Sequence, residues 1–175
     1  MQQSFRVGGA SCVANSILCA LLVIVSACTS SPTIDASGNV VARIEKVIDG
    51  DTVDVSIGGK SETLRLIGVD TPETKHPTKP IECWGPEASA FTHSLLPPRT
   101  DVVLVRDEQA RDKYGRLLVY LYRRSDMLFV NRELVRGGWA RTLSIPPNTT
   151  YEMVFERDRD TALDQQLGLW SHCPR

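Results

Sequence analysis

Histidine is scarce, with three in 175 residues, and no HxxxH pair offers two imidazoles to a metal. No Ser, His and Asp order suggests a nucleophilic triad. There is no basic excess either: 20 Lys and Arg stand against 21 Asp and Glu. Strong non-specific binders of polyanions carry a surplus of cations, so a uniformly basic surface is excluded. No internal repeat is visible, which argues for one compact unit. No apolar run spans a bilayer comfortably: Ala14 to Val25 is mostly apolar but falls short of the roughly 20 residues a spanning helix needs. Cysteine is absent from most of the chain. Cys12, Cys19 and Cys28 crowd the beginning, leaving only Cys83 and Cys173 for a folded domain.

The first 28 residues stand apart. They contain one charge, Arg6, and no acids, so the remainder carries 19 basic and 21 acidic side chains, a balance of −2. Ala14 to Val25 reads as the apolar stretch of a secretory signal. It ends in Val25-Ser26-Ala27-Cys28, small residues before a cysteine, as in a bacterial lipoprotein lipobox. Residues 1–28 are therefore expected to be a lipoprotein-type signal peptide, with Cys28 lipidated. An ordinary signal peptide cut nearby is the alternative. Thr29 after the cysteine gives no acidic signal for inner-membrane retention. Residues 29–38 are rich in Ser, Thr, Pro and Gly and read as a flexible tether. Residues 39–175 make one domain. Outside the cytosol, Cys83 and Cys173 suggest a disulfide. His172 alone does not complete a four-ligand zinc set.

Val40, Ala42, Ile44, Val47 and Ile48 form a strand ending at the turn pair Asp49-Gly50. Val53, Val55 and Ile57 alternate as a second strand, closed by a Gly58-Gly59 hairpin. Leu64, Leu66 and Val69 mark a third, with Arg65 on the opposite face. Thr74 to Glu82 is a polar, proline-bearing loop. Pro86 opens a helix striped by Ala88, Phe91 and Leu95, and Pro97-Pro98 stops it. Val102–Val105 and Leu117–Tyr122 are strands four and five. Asn131 is expected to cap a short helix ended by Gly137-Gly138. Thr149-x-x-Glu152 resembles a capping box for a last helix reaching about Leu167. Leu169 and Trp170 are expected to pack on the body.

Chemistry concentrates at the turns. Asp49, Asp51, Asp70 and Glu73 with Arg65 put four carboxylates and one guanidinium within 25 residues. Such a cluster suits a hard cation and a phosphate better than a core. Asp112-Lys113-Tyr114-Gly115-Arg116 adds a second arginine in another turn. Any one of these motifs alone reads as a solvated turn; the conjunction does not.

The order Asp49-Gly50-Asp51-Thr52, then Arg65-x4-Asp70-Thr71-Pro72-Glu73, then Asp112 to Arg116, resembles the staphylococcal nuclease-like (thermonuclease) family. The likeness runs from about Val41 to Trp170 and includes Gly85-Pro86-Glu87-Ala88-Ser89-Ala90-Phe91. It implies an α+β fold that is mainly β: a five-stranded, partly open OB-type barrel with about three helices. It implies a Ca²⁺-dependent nuclease of DNA and RNA, favouring single strands and leaving 3′-phosphate ends. Asp51 and Asp70 would bind Ca²⁺ through side chains and Thr71 through its carbonyl, with Asp49 just outside. Glu73 would orient or deprotonate the attacking water, while Arg65 and Arg116 clamp the phosphate. Lys113 could meet a terminal phosphate and Tyr114 a base.

One departure stands out. After Gly138-Trp139-Ala140-Arg141 the best-known member carries a pair of tyrosines that pack on the nucleotide. Here Thr142-Leu143-Ser144-Ile145-Pro146-Pro147 follows, one residue shorter, so weaker base affinity or altered preference is expected. With the acid balance, a local positive groove and salt-sensitive affinity are expected. The protein is expected to be an extracytoplasmic, lipid-anchored monomer, or else secreted. The alternative is a catalytically silent OB-fold nucleic-acid-binding lipoprotein. A weaker reading is an envelope lipoprotein using its barrel for protein contacts.

Overall fold

The computed structural model describes residues 31–75, 78 and 80–174. The signal segment, Cys28 and His76 lie outside the described residues. Along the chain run β1 (Thr33–Ile34), β2 (Val40–Asp49), β3 (Thr52–Ile57), β4 (Lys60–Leu66), β5 (Gly68–Asp70) and α1 (Gly85–Leu95). Then come β6 (Asp101–Val105), β7 (Leu117–Arg123), β8 (Leu128–Phe129), α2 (Val130–Arg136), β9 (Arg141–Leu143), α3 (Glu152–Asp164) and α4 (Leu169–His172).

Five strands close on themselves. β2 pairs with β3, β3 with β4, β4 in parallel with β7, β7 with β6, and β6 returns to β2. β2 serves two neighbours because it is long and bent: its first half faces β6 and its second half faces β3. Register shifts between Ile44 and Lys46, and between Val47 and Asp49, bend it. Alternation fills the interior. Val53, Val55, Leu64, Leu66, Val102, Leu104, Val119 and Leu121 point inward and are buried. Leu134 and Val135 of α2 and Phe155 of α3 complete the same core. The barrel is thus the expected OB-type five-stranded one, closed through β2–β6, with extra strands and four helices. Among the described residues no helix is long and apolar enough to cross a membrane.

The structure corrects three local expectations. The third strand divides. Ile67 turns the chain, Gly68 takes φ 79°, and β5 leaves the barrel to pair with β9. A Cβ at Gly68 would lie 2.3 Å from the Phe155 ring, so the bend and α3 pack without room for a side chain. Asn131 is not a cap. Phe129 occupies that position, and Asn131 lies inside α2, fully buried. Its Oδ1 accepts from Leu121 N at 2.9 Å, and its Nδ2 donates to Ile67 O at 2.9 Å and Val119 O at 3.3 Å. It completes β7's hydrogen bonding where β4 ends. The Thr149–Glu152 capping box does not form: Glu152 N donates to the Thr149 main-chain oxygen at 3.0 Å, and no side chain caps α3. That helix ends at Asp164.

Cys83 and Cys173 form the expected disulfide. The tryptophans pack rather than project. Phe91 stacks on Trp139 at 4.7 Å, Trp139 on Trp84 at 5.7 Å, and Trp84 on His172 at 4.2 Å.

Candidate active site

The Gly50-Asp51 turn between β2 and β3 is pressed into place. A Cβ at Gly50 would meet the Thr71 side chain at 2.7 Å, so glycine permits the approach. Thr92 of α1 donates its hydroxyl to Gly50 O at 2.7 Å from a fully buried position. Asp51 is therefore held from both sides. Its Oδ2 accepts from Thr71 N at 2.9 Å and Thr71 Oγ1 at 3.0 Å, and its Oδ1 accepts from Thr52 Oγ1 at 2.9 Å.

Arg65 leaves β4 on the face away from Leu64 and Leu66. Its Nη1 donates to Leu66 O at 2.8 Å and Val69 O at 2.6 Å. Its Nη2 lies 2.9 Å from Asp70 Oδ1 and 3.3 Å from Asp51 Oδ2. Both proposed cation-binding carboxylates thus converge on one guanidinium nitrogen, although they come from different turns. Burial pushes the Asp70 carboxyl above its usual range, and the Asp51 and Glu82 charges push the same way. Arg65 and Arg141 oppose them.

Asp49 is buried at the same turn. Gly50 N donates to it at 2.9 Å and Thr74 Oγ1 at 2.8 Å. Burial and a side-chain hydrogen bond with Glu73 raise its pKa, while the Thr74 and Gly50 bonds pull it down. Glu73 follows Pro72, and its Oε1 accepts from Lys75 N at 2.7 Å.

The Asp112–Arg116 turn comes in from the other side. Asp112 Oδ1 accepts from Tyr114 N and Arg116 N at 2.9 and 3.0 Å, an aspartate-built turn. Its Oδ2 holds Arg116 Nε at 2.7 Å. Tyr114 is 72% exposed, with Lys113 Nζ 5.0 Å and Arg116 Cζ 5.4 Å from its ring centre.

Two hollows share the arginine pair. One, about 470 Å³, is lined by Asp49, Asp51, Asp70, Thr71, Glu73 and Arg65, with Arg116 at its edge. The other, about 380 Å³, is largely apolar, walled by Tyr114, Leu118, Leu143, Ile145, Arg65 and Arg116. An ionic chamber and an apolar chamber meet at two guanidinium groups. The aliphatic Leu143 and Ile145 take the wall of the second chamber.

Every site residue singled out from the sequence in Asp49–Glu73 lies in the ionic chamber, and Arg116 joins them. Lys113 and Tyr114 line the apolar one. Three charged neighbours were missed as site residues. Lys75 and Glu82 line the ionic chamber, and Arg141 faces Asp70 across the β5–β9 ladder. Only the closure of the 74–82 loop and the β5–β9 pairing bring them in, and neither has a local signature.

Among the described residues no three His, Cys, Asp or Glu side chains form a ready metal cluster. Two carboxylates with a neighbouring main-chain carbonyl are nonetheless all hard oxygen, and burial, with the Asp51 and Glu82 charges beside it, raises Asp70. This fits a hard cation whose remaining ligands are water and substrate.

OB-type barrels are scaffolds that bind oligonucleotides and oligosaccharides, and here the turns of the barrel deliver carboxylates and two arginines to one cleft. Residues 63–172 match the family model described as staphylococcal nuclease homologue. The chain is 40% identical over 127 residues to a thermonuclease of Staphylococcus intermedius, covering 73% of this chain and 74% of that protein. It is 39% identical over 130 residues to a thermonuclease of Staphylococcus hyicus, covering 74% and 75%. It is 37% identical over 129 residues to the endonuclease YncB of Bacillus subtilis, covering 73% and 60%. The protein belongs to the staphylococcal nuclease homologue family, a family of nucleases.

Proposed function

We propose that this protein is a Ca²⁺-dependent nuclease of DNA and RNA that leaves 3′-phosphate ends and acts outside the cytoplasm. Residues 1–28 serve as its signal peptide and Cys28 as the lipid anchor; of the expected 29–38 tether, Thr33–Ile34 pairs with β2 as β1, so only the residues before it link the anchor to a monomeric domain. The observation that carries the reading is the arginine pair standing between the ionic and the apolar chamber. A phosphodiester at that wall has a nucleoside on one side and carboxylates on the other.

Asp51 and Asp70, with the Thr71 carbonyl, would hold Ca²⁺. When bound, the cation offsets charge on the phosphate and favours attack by water. Arg65 and Arg116 grip the non-bridging oxygens, where planar forks match two oxygens at once. Arg65 arrives pre-oriented by the Leu66 and Val69 carbonyls, so it loses little entropy on binding. Glu73 orients the attacking water or takes its proton as the 5′-oxygen leaves. Asp49 shares a hydrogen bond with Glu73 and keeps that carboxylate in place. Tyr114 stacks on a base, and Lys113 meets a flanking phosphate. Leu143 and Ile145 offer apolar area without a π-face, which supports weaker base affinity.

The test incubates purified protein with single-stranded DNA and RNA, in Ca²⁺ or in chelator, beside a Glu73→Gln, Arg116→Ala double variant. Cleavage that requires Ca²⁺ and disappears in the variant is expected. A folded, Ca²⁺-binding wild type that leaves both substrates intact would make the protein a binding module instead. Tight Ca²⁺-dependent binding of a nucleotide bisphosphate would count against the aliphatic-wall argument.

A further inference from the structure

Glu73 carries the water-directing carboxylate on a segment with little packing of its own. Lys75, Thr78 and Pro80 to Cys83 are exposed, and Ile81 is 64% exposed. None of its described residues 75, 78 and 80–83 is buried. Beside Glu73, Thr74 is tied to Asp49 through its N–H at 3.3 Å and its hydroxyl at 2.8 Å, and the two ends are tied to each other by the main chain and one side chain. Glu82 N donates to Glu73 O at 2.9 Å, and Glu73 N donates to Glu82 Oε2 at 3.2 Å. Glu82 therefore satisfies both main-chain polar groups of Glu73.

Glu82 is itself exposed, so packing does not fix it either. The next residue does. Cys83 is bonded to Cys173, 90 positions away. The far end of that bond is firm. Leu169 of α4 is buried, and its N–H donates to Gly138 O at 2.8 Å. Trp84 follows Cys83 at φ 70°, a left-handed conformation costing a non-glycine residue about 1 kcal/mol. The His172–Trp84–Trp139–Phe91 stack holds it there. Gly85 then brings α1 against the segment: a Cβ there would lie 3.1 Å from Pro72 O and 3.2 Å from Glu73 O.

We propose that Glu82 is a positioning residue for Glu73, and that the Cys83–Cys173 disulfide, braced by the aromatic stack, anchors Glu82. The C-terminal helix α4 thereby becomes part of the catalytic apparatus without touching substrate. This rests on the reading of Glu73 as the residue that directs water. A displacement of about 1 Å at such a group can cost a hundredfold in rate.

Three full-length proteins test it: Glu82→Ala, Glu82→Gln, and Cys83→Ser with Cys173→Ser. Turnover and KM are measured at a temperature where circular dichroism reports each variant folded. Backbone order parameters at Glu73 and Lys75 are measured by ¹⁵N relaxation without metal or substrate. Glu82→Ala and the double serine variant are expected to lower kcat about 10- to 100-fold with KM changed less than about threefold. Their order parameters at Glu73 should fall from about 0.85 toward 0.6. Glu82→Gln keeps an acceptor oxygen for Glu73 N–H and is expected to restore kcat to within about threefold of wild type. Unchanged order at Glu73 in Glu82→Ala overturns the proposal even if activity is lost. Increased motion with kcat unchanged overturns the positioning role. Should wild type not cleave at all, the nuclease reading fails, while the order parameters still decide whether Glu82 holds Glu73.

Discussion

Replacing Asn131 with alanine offers a sharp test of how the fold carries the site. Asn131 is fully buried on α2, yet its bonds go to β7 and to the bend after β4. Alanine leaves Leu121 N–H without an acceptor and Ile67 O without a donor. Val119 O keeps its bond from Ile67 N at 3.0 Å. Two buried groups left unpaired at about 1–3 kcal/mol each amount to about 2–6 kcal/mol. At roughly 4 °C per kcal/mol for a domain of this size, Tm should fall by about 8–24 °C. Urea unfolding should show a lower midpoint at unchanged slope. Asn131→Asp is the informative partner. It keeps the acceptor for Leu121 N–H but sets an anionic oxygen against the Ile67 and Val119 carbonyls. It should be worse than alanine at pH 7 and recover as pH falls, because protonation restores a donor. Ile67 lies between Arg65 and Asp70, so whatever remains folded should also cleave more slowly. A loss under 1 kcal/mol for Asn131→Ala would refute the claim that this side chain completes the β7 ladder.

Other outcomes follow from the same geometry. Burial and the Asp51 charge raise the Asp70 carboxyl, so its contribution to stability is present below the ordinary value near 3.8 and lost as pH rises through the folded value. Asp70→Asn should therefore raise the Tm of metal-free protein at pH 7, the gain should shrink toward pH 4, and added Ca²⁺ should stabilise wild type only; a calorimetric pH series checks this. Arg65→Lys cannot reach Leu66 O, Val69 O, Asp70 and Asp51 from one ammonium, so kcat/KM should drop at least about a hundredfold in a cleavage assay. Gly68→Ala puts a methyl 2.3 Å from the Phe155 ring at a backbone φ of 79°, which should cost about 2–4 kcal/mol in urea unfolding. Opening the disulfide by the double serine change should cost about 4 kcal/mol on the chain-entropy account, read as a lower urea midpoint.

The barrel strands were legible because burial on one face imposes a two-residue period, and Val53 to Ile57 or Leu64 to Leu66 state it locally. The helix after Gly85 was legible through Pro86 and the Pro97-Pro98 stop. Asn131 and Thr149 misled because both residue types cap helices when nothing else intervenes. β7 claimed Asn131, and after Thr149 a main-chain turn, Glu152 N to Thr149 O at 3.0 Å, leads into α3, whose cap position falls to Tyr151. The third strand read as continuous because Leu66 and Val69 are both apolar. The break at Gly68 depends on Phe155, 87 residues later.

The site divides along the same line. Asp49, Asp51, Arg65, Asp70, Glu73 and Arg116 could be picked from the chain because their motifs are short and keep their spacing. Turn chemistry and charge type are local properties. That Asp51 and Asp70 converge on one nitrogen of Arg65, that two chambers meet at the arginines, and that Glu82 grips Glu73 are relations between segments far apart. They depend on which strand pairs with which, on the bend at Gly68 and on a cross-link spanning 90 residues. Residue types set what chemistry is possible; barrel closure, by burying one face of every strand, decided which turns would share a cleft.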